Sequence, residues 1–379
     1  MINIHLYFSD IRNETRILKE TKSIVQNKIA DEVIILGRWE KDLPKEEIID
    51  AHRKIVRLDI KKFKLFGLLP IPGSSLLHFY YKAYRILKKH KPDILNIHML
   101  LLLPLGAYYK KKNNPYLVYD AHELETETKH LKGLKKKISK SIERKYIYKS
   151  DIVFVVGESI ADWYANEYKM PRPPVVLNAP NKRELETNNH FREQLNIRKD
   201  QIILLYQGGL AQVRGVHLIL DAFKARNDDK VVVVFMGYGE LEADIKNAAN
   251  EYDNIYFFPA VPPNIVLEYT SSADMGIHLI QNTCLNHDYC MPNKLFEYAM
   301  AGLPVLVSNM KDMSELVLNN NMGTVISDFS VNGINKALDD FLSQDLTFLK
   351  ANAYRVACEN AWEIQEQKMI QTYKDLLRK

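Results

Sequence analysis

Cysteine is scarce in this 379-residue chain, which contains only Cys284, Cys290 and Cys358. The number is odd and the spacings match no zinc site, so neither a disulfide framework nor a structural zinc site is expected. Gly and Pro, at 15 residues each, are too few for a low-complexity or collagenous segment. These deficits predict a reduced, intracellular protein built from ordinary globular domains.

Long apolar runs are also missing. The most apolar stretch, residues 99–107, contains Pro104 and is far shorter than the ~20 residues needed to cross a bilayer. The N-terminus is a short alternating run that stops at Ser9-Asp10, without the basic region and apolar core of a secretory signal. We therefore expect a cytoplasmic protein that does not span a membrane and is either soluble or peripheral on the inner face of the cell membrane.

Several catalytic motifs are absent. The sequence has no Asp-x-Asp pair, no His-x-x-His or Cys-x-x-Cys ligand set, no Gly-x-Ser-x-Gly turn and no Gly-x-x-x-x-Gly-Lys phosphate loop. Metal-dependent transfer, serine hydrolysis and P-loop hydrolysis of nucleoside triphosphates are therefore disfavoured. We expect neither a metal nor a resident cofactor.

The distribution of charge divides the chain into two halves. Residues 1–180 contain 33 Lys and Arg against 21 Asp and Glu, whereas the rest of the chain contains 19 against 26. Such asymmetry suggests two domains with different partners, the basic one facing something anionic. With 46% hydrophobic residues, a chain of this length has enough material for two cores.

Short β-branched runs alternate with longer amphipathic segments, a pattern typical of parallel sheets covered by helices. Strands are predicted at residues 2–8, 32–36, 54–58, 94–97, 116–119, 152–155, 174–177, 202–206, 231–235, 255–258, 275–279, 304–307 and 324–326. Helices are predicted at 13–28, 76–90, 134–149, 158–168, 216–226, 240–250, 263–271, 292–301 and 311–318, and over 346–379. The predicted fold is α/β, with doubly wound Rossmann-like domains at 1–180 and 190–360 that face a central cleft. Residues 171–200 form the predicted linker.

The segment from Pro292 to Val307 carries the strongest chemical pattern. Pro292 and Gly302 mark the two ends of a helix, and Asn293 and Glu297 share its polar face. The opposite face is the predicted buried stripe of Leu295, Phe296, Ala299 and Met300. The start of such a helix can bind a diphosphate, with Glu297 about 7.5 Å further along the axis in reach of ribose hydroxyls. The alternative is a surface helix with an incidental glutamate.

Two glycine turns add to this pattern. Gly208 and Gly209 end a predicted strand, and Arg214 follows at the start of the next helix, where a guanidinium can clamp phosphate oxygens. Gly237 and Gly239 end the next strand, which allows close approach of a base or phosphate to the main chain. Either turn could also be purely structural.

In the first half, polar residues follow two predicted strands. Asp120, His122 and Glu123 come at the end of one strand, and His98 ends a neighbouring one. Histidine and carboxylates at strand ends are what acid–base or substrate-orienting chemistry requires. We predict a functional role for His122 and a structural one for His98.

Together these segments resemble the retaining glycosyltransferases of GT-B fold, in the GT4-type "glycosyl transferases group 1" family. The resemblance covers the whole second half in family order and the first half more loosely. In that family the C-terminal helix packs on the N-terminal domain, so residues from about 361 to 379 are expected to complete it. The segments that carry the resemblance are Tyr206–Gly215, Met236–Gly239, Pro259–Pro262, Ser272–Gly276, Pro292–Val305 and Ala361–Glu363, with Asp93–His98 and Asp120–Glu123 in the first half.

The resemblance implies roles for several residues. Arg214 matches the residue that contacts the donor diphosphate, and Glu297 matches the second glutamate of the family motif, which holds the ribose. Gly237 and Gly239 would lie near the nucleoside, and His122 near the transferred sugar. It further implies transfer of a hexose from a nucleotide sugar, UDP-linked by preference, with retention and without metal.

The sequence departs from the family pattern in three places. Gly209 stands where the family has an arginine, and Tyr289 stands where it has the first glutamate. Residues 309–312 replace the two glycines that usually follow the next strand, although Glu315 remains. Asn293 and Lys294 are the predicted substitutes at the donor site, while Asp120 and Glu123 are assigned to the acceptor side. Residues 286–294 form a variant associated with enzymes of surface polysaccharide synthesis.

Basic clusters in the first half predict a partner surface. Lysines interleave with apolar residues over 61–70, and further clusters lie at 110–112 and 129–140. They could dock on an anionic membrane that carries a lipid-linked acceptor, or form a solvated lysine-rich face. Nucleic acid is not expected, because no stacking aromatics accompany the clusters.

Two alternative functions remain open at this point. One is a nucleotide-sugar 2-epimerase of the same fold. The other is a non-catalytic subunit that binds a nucleotide sugar or a membrane, which the missing arginine and glutamate would favour.

Overall fold

The computed structural model describes residues 1–61, 64–65, 69–70, 73–226 and 228–378. The chain divides into two compact units. Unit 1 comprises Met1–Val176 and Glu366–Lys379, and unit 2 comprises Leu177–Gln365. The predicted lysine-rich segment 61–70 lies largely outside the described residues.

Unit 1 is a seven-stranded sheet flanked by helices, with strand order β3-β4-β2-β1-β7-β8-β9. The strand pairs are parallel except that β3 runs antiparallel to β4. The strands are β1 (Ile2–Leu6), β2 (Glu32–Arg38), β3 (Glu46–Ile48), β4 (Arg53–Leu58), β7 (Ile94–Ile97), β8 (Tyr116–Ala121) and β9 (Ile152–Val155), and a separate pair is β5 (Lys64–Leu65) with β6 (Leu69–Pro70). The helices are α1 (Thr15–Gln26), α2 (Ser74–His90), α3 (Leu103–Asn113), α4 (Gly133–Tyr146) and α5 (Glu158–Tyr168).

Unit 2 is a six-stranded parallel sheet with order β12-β11-β10-β13-β14-β15. Its strands are β10 (Ile202–Gln207), β11 (Val231–Gly237), β12 (Ile255–Pro259), β13 (Met275–His278), β14 (Val305–Ser308) and β15 (Gly323–Ile326). Its helices are α6 (His190–Leu195), α7 (Val216–Ala225), α8 (Glu242–Glu251), α9 (Val266–Thr270), α10 (Leu285–Asp288), α11 (Asn293–Met300), α12 (Lys311–Asn319), α13 (Val331–Leu342) and α14 (Leu346–Glu359). The last helix, α15 (Trp362–Leu377), begins in unit 2 and continues in unit 1.

The apolar sequences of the central strands of unit 2 correspond to their burial. Every residue of β11 is buried, as is expected of a parallel strand covered by helices on both faces. Because β10, β11 and β13 are parallel neighbours, their carboxyl ends lie at one edge of the sheet. The residues that follow these strands, and the start of α11, therefore come together.

The structure corrects several sequence predictions. The strand predicted at 174–177 is only an isolated bridge between Val155 and Val175, since Pro171 to Pro174 leave few donors for a ladder. The segment predicted to be helical over 346–379 forms two helices, α14 and α15, separated by Asn360 and Ala361, and the C-terminal helix expected from about 361 begins at Trp362. Helix 263–271 is reduced to α9. Elements for which no range was predicted are β3, β5, β6, α3, α6, α10 and α13.

Among the described residues, no helix is both long enough and apolar enough to cross a membrane.

Candidate active site

Lys294 occupies an unusual position in the first turn of α11. Lys294 is 7% exposed, and its Nζ has no hydrogen-bond partner among the described residues. The Nζ lies 4.3 Å from the centroid of the Tyr206 ring. Burial, and after it the nearby Arg214 guanidinium, lower the pKa of Lys294 to about 7. A buried amine without a hydrogen-bond partner at the start of a helix is suited to bind an anion.

Close packing of the main chain explains the glycines beside Lys294. A Cβ on Gly237 would lie 1.9 Å from the carbonyl oxygen of Gly208, so the two turns pack backbone against backbone. Gly208 itself has φ +113° and faces Lys294 Nζ. Gly239 is similarly close to the main chain of Leu210. These glycines were predicted to let a ligand approach the main chain. At Gly237, however, the packing against Gly208 already requires a glycine.

Arg214 ends a short 3₁₀ turn, Gln212–Arg214, that precedes α7. Its side chain is exposed and lies against Gly209, close enough that a Cβ there would be 3.5 Å from Nε. The family arginine is missing at Gly209, and Arg214 extends over that position. Arg214 and Lys294 thus form a cationic pair at the carboxyl edge of the sheet.

Glu297 is oriented by a partner that the sequence analysis missed. The side-chain amide of Gln207, the last residue of β10, donates to Glu297 Oε2 at 2.6 Å. The Oε1 of Gln207 accepts from Thr270 Oγ1 at 2.8 Å, and its backbone N–H donates to the hydroxyl of Tyr298 at 2.9 Å. Gln207 could have been identified from the sequence, because it is a polar residue at the carboxyl end of a buried strand. This network holds a half-buried Glu297 on the polar face of α11 with Asn293, which is exposed.

His278 was also missed. It is the last residue of β13 and is 2% exposed, and neither ring nitrogen has a hydrogen-bond partner among the described residues. Burial, followed by the positive charges of Lys294 and Arg214, lowers its pKa well below the usual value. A neutral imidazole there can still donate one hydrogen bond and accept another. Its position at a strand end could have indicated it.

In unit 1, Asp120 lies at the centre of a buried cluster. Arg16 donates to both of its carboxylate oxygens, at 2.6 and 2.9 Å. Burial alone would raise the pKa of Asp120, but Arg16 and then the adjacent histidines hold it well below its usual value. Asp120 is 1% exposed, so it supports His122 and is not itself open to an acceptor. Glu123 follows β8 on the exposed surface.

The two histidines predicted at strand ends meet at Asp120. His122 Nε2 lies 2.9 Å from Asp120 Oδ2, and His98 Nδ1 lies 3.1 Å from the same oxygen. His98 is buried, as its predicted structural role requires, whereas the His122 side chain is 19% exposed.

Two groups of side chains in this cluster are close enough to share a metal ion. They are His5, Glu20 and His98, and then His98, Asp120 and His122, with ligand atoms within 4.8 Å of one another. The sequence could not show either group, because their members come from different elements. Arg16 already pairs with Asp120, and its cation would repel a divalent ion at the second group.

Two family descriptions match this chain in succession. Residues 29–179 match Glycosyltransferase Family 4, and residues 187–360 match Glycosyl transferases group 1. A curated relative, lipopolysaccharide 1,2-N-acetylglucosaminetransferase of Salmonella typhimurium, is 31% identical over 169 residues. That match spans 40% of this chain and 43% of the relative's length, less than half of either.

Solved structures share the whole fold. Sucrose-phosphate synthase from Thermosynechococcus elongatus has a TM-score of 0.80 at 16% identity, covering 100% of this chain and 99% of that one. WaaG, a glycosyltransferase involved in lipopolysaccharide biosynthesis, has a TM-score of 0.67 at 18% identity, covering 97% and 98%. Anabaena HepE (Alr3699), solved in complex with UDP, has a TM-score of 0.71 at 14% identity, covering 99% and 100%. The two-unit α/β prediction is confirmed, and the chain belongs to the GT4-type group 1 glycosyltransferases of GT-B fold.

Proposed function

We propose that this protein transfers a hexose from a UDP-sugar to a hydroxyl of a glycan or lipid-linked acceptor, with retention and without metal, in the synthesis of a surface polysaccharide. The observation that carries the proposal is the buried, unpartnered Nζ of Lys294 at the start of α11, next to Arg214. Two cations and a helix N-terminus together match the charge of a diphosphate. Two similarities support the choice of substrates: the Salmonella relative is a lipopolysaccharide 1,2-N-acetylglucosaminetransferase, and HepE was solved in complex with UDP.

Glu297 supports a nucleoside as the rest of the donor. Its Oε2 accepts a hydrogen bond from Gln207, which orients the carboxylate, and a carboxylate is a suitable acceptor for the hydroxyls of a ribose. Glu297 follows Lys294 by about 4.5 Å of helix rise, at 1.5 Å per residue. That spacing suits a ribose attached directly to the diphosphate.

We propose the following course for the reaction. The acceptor oxygen forms a bond to the anomeric carbon while the bond from that carbon to the diphosphate oxygen breaks on the same face. The proton of the acceptor hydroxyl passes to the departing phosphate oxygen. Arg214 and the start of α11 stabilise the negative charge that develops there, which is usually the largest contribution in such chemistry. The family resemblance assigns to His122, in unit 1, the orientation of a hydroxyl of the sugar or the acceptor.

The test is to substitute Arg214→Ala and Glu297→Ala and to measure UDP affinity and sugar transfer. Lys246→Ala is the control, because Lys246 is an exposed lysine of α8 in the same unit. Removing one group that stabilises developing charge lowers kcat about 10²–10³-fold. Unchanged UDP affinity and turnover in both variants would overturn the proposal. Product formed without an acceptor would point instead to an epimerase, and UDP binding without any product to a non-catalytic subunit.

The surface of α4 supports a membrane-bound acceptor. Leu134 and Ile138 are 72% and 50% exposed, four residues apart on one face, and Lys137 and Lys145 share that face. Apolar side chains flanked by lysines bind an anionic leaflet by insertion and by about 1 kcal/mol per cation. We propose that this face docks on anionic lipid.

Sedimentation with vesicles tests the docking surface. The double variant Leu134→Ser, Ile138→Ser should lose binding to vesicles that contain phosphatidylglycerol, whereas Leu318→Ser should not. Leu318 is 55% exposed but belongs to unit 2. Equal sedimentation of both variants, or equal binding to neutral vesicles, would contradict the proposal.

A further inference from the structure

A chain of hydrogen bonds crosses the interior of unit 1 behind His122. Asn3 Oδ1 lies 2.7 Å from His5 Nε2, and His5 Nδ1 lies 2.8 Å from His98 Nε2. His98 Nδ1 in turn lies 2.9 Å from His122 Nε2. These residues come from β1, from the end of β7 and from the end of β8, three adjacent parallel strands. Each imidazole can carry its proton on either nitrogen, so the order of protons along the chain has to be worked out from its ends.

The first end is fixed by a main-chain carbonyl. The Asn3 side-chain nitrogen lies 3.1 Å from the carbonyl oxygen of Ile94, which can only accept. Asn3 Nδ2 is therefore the donor there, and Asn3 Oδ1 must face His5 and accept from its Nε2–H. The pKa of His5 lies well below its usual value because of burial and the adjacent His98, so the ring is neutral. Its Nδ1 is then bare and must accept from His98.

The position of the proton on His98 follows from that on His5. The rings of His5 and His98 are nearly coplanar, at 18°, with centroids 5.0 Å apart. That separation fits two rings placed edge to edge across a hydrogen bond of 2.8 Å. His98 Nε2 therefore carries the proton. Burial lowers the pKa of His98 to about 4, so this ring is also neutral and its Nδ1 is a bare acceptor.

The proton position at the other end of the chain, on His122, follows because the atoms it faces can only accept hydrogen bonds. The bare His98 Nδ1 lies 3.1 Å from Asp120 Oδ2, and a carboxylate kept ionised by Arg16 also only accepts. Two acceptors at this distance repel each other unless a donor serves both. His122 Nε2 lies 2.9 Å from each of them and is the donor available. The neighbouring Glu20 is kept neutral, because burial and then Asp120 raise its pKa well above the usual value, and its carboxyl proton is a further donor to Asp120. It does not replace His122 as the donor to His98 Nδ1, which lies 2.9 Å from His122 Nε2.

We propose that Asn3, His5 and His98 are positioning residues that fix His122 as the tautomer with Nε2–H directed inward and the Nδ1 lone pair directed outward. The outward nitrogen is then a hydrogen-bond acceptor, which selects a neutral hydroxyl as its ligand. The Tyr7 ring, tilted at 51° with its centroid 5.5 Å away, packs against the imidazole and limits its rotation. That the hydroxyl belongs to a sugar or its acceptor rests on the proposed function. The tautomer itself does not.

Nitrogen NMR of protein labelled with ¹⁵N-histidine tests the relay directly, since protonated and bare ring nitrogens have distinct shifts. The relay requires His5, His98 and His122 each to have a protonated Nε2 and a bare Nδ1. His5→Phe keeps a ring of similar size but removes the acceptor for His98 Nε2–H. We expect His98 to move its proton to Nδ1, towards Asp120, and His122 then to populate both tautomers. Loss of one hydrogen bond to substrate should lower kcat/KM about fivefold to tenfold.

Tyr109→Phe is the matched control. The Tyr109 hydroxyl is buried in the same unit and donates to the carbonyl oxygen of Leu87 at 2.9 Å, which does not belong to the chain from Asn3 to His122. We expect the histidine tautomers of this variant to be those of the wild type.

Three results would overturn the relay. One is a wild-type His122 protonated on Nδ1, and a second is a His5→Phe variant with unchanged His98 and His122. The third is stoichiometric zinc binding that perturbs His98 and His122 together, which would make them metal ligands instead. If His5→Phe does not fold, the wild-type spectrum alone decides. A protein with the relay's tautomers that neither binds UDP nor transfers sugar would overturn the proposed function and leave the relay intact.

Discussion

Lys294→Met should stabilise the empty protein while destroying its affinity for the donor. Methionine retains most of the side-chain volume beneath the Tyr206 ring but introduces no buried amine. The pKa of Lys294 falls from 10.5 to about 7 in the folded protein. At 1.36 kcal/mol per unit, this difference amounts to about 5 kcal/mol of lost stability. Removing the contact of Nζ with the ring at 4.3 Å offsets about 1–2 kcal/mol, so we expect a net gain of about 3 kcal/mol at pH 7.

The sign of the pH dependence follows from the direction of the shift. Because the folded pKa is the lower one, the unfolded chain binds more protons between about pH 7 and 10.5, and stability rises with pH there. The penalty is nearly complete at and below pH 7 and is relieved as the pH approaches 10.5. The advantage of Lys294→Met should therefore be greatest near neutrality and disappear at about pH 10.

Thermal melts across pH 6–10, with and without UDP, measure both effects. For a unit of this size about 3 kcal/mol raises Tm by about 6–12 °C. UDP at 100 times its Kd should add about 2.7 kcal/mol to the wild type and little to the variant, so that the two proteins then melt at similar temperatures. The control is Lys246→Met, since Lys246 is half exposed on α8. Equal melting of wild type and Lys294→Met at every pH would refute the reasoning about burial, and an equal shift with UDP would refute the role in binding.

Two further predictions concern the supports of the site. Gly215→Ala should destabilise unit 2 by about 2 kcal/mol or more in urea unfolding, because Gly215 has φ +72° and a Cβ would lie 1.8 Å from the carbonyl oxygen of Leu279; an unchanged midpoint would contradict the close approach. Asp120→Asn should destabilise the protein by up to about 3–5 kcal/mol, because it removes the two-point partner of the Arg16 guanidinium, 4% exposed, and leaves only Glu20, 2.8 Å from Arg16 Nε, as a counter-charge. Asp42→Asn, in an exposed pair, should change stability by less than about 1 kcal/mol, and similar losses in both variants would contradict the effect of burial.

Periodicity was sufficient for the regular elements of the sheets. The run Val231–Val234 predicts a strand because only a parallel strand covered on both faces is apolar at every position, and β11 is buried throughout. The stripe Leu295, Phe296, Ala299 and Met300 predicts α11 and its buried face in the same way. Periodicity failed where proline removes ladder donors, at 174–177, and where a helix as short as α6 has too few turns to show a period. The longer helices α3 and α13 also received no predicted range.

The amino-acid sequence by itself determined the two α/β units, the polar strand ends and the helix start at which a diphosphate could bind, because these depend on local periodicity and on capping. Only the tertiary structure decided the chemistry of the individual groups. Arg16 and Asp120 are separated by 104 positions, and Gln207 and Glu297 by 90, yet each pair is in hydrogen-bond contact. A pKa, a tautomer or an unpartnered amine depends on which atoms surround a group, and those atoms are supplied by distant segments that no local pattern can identify.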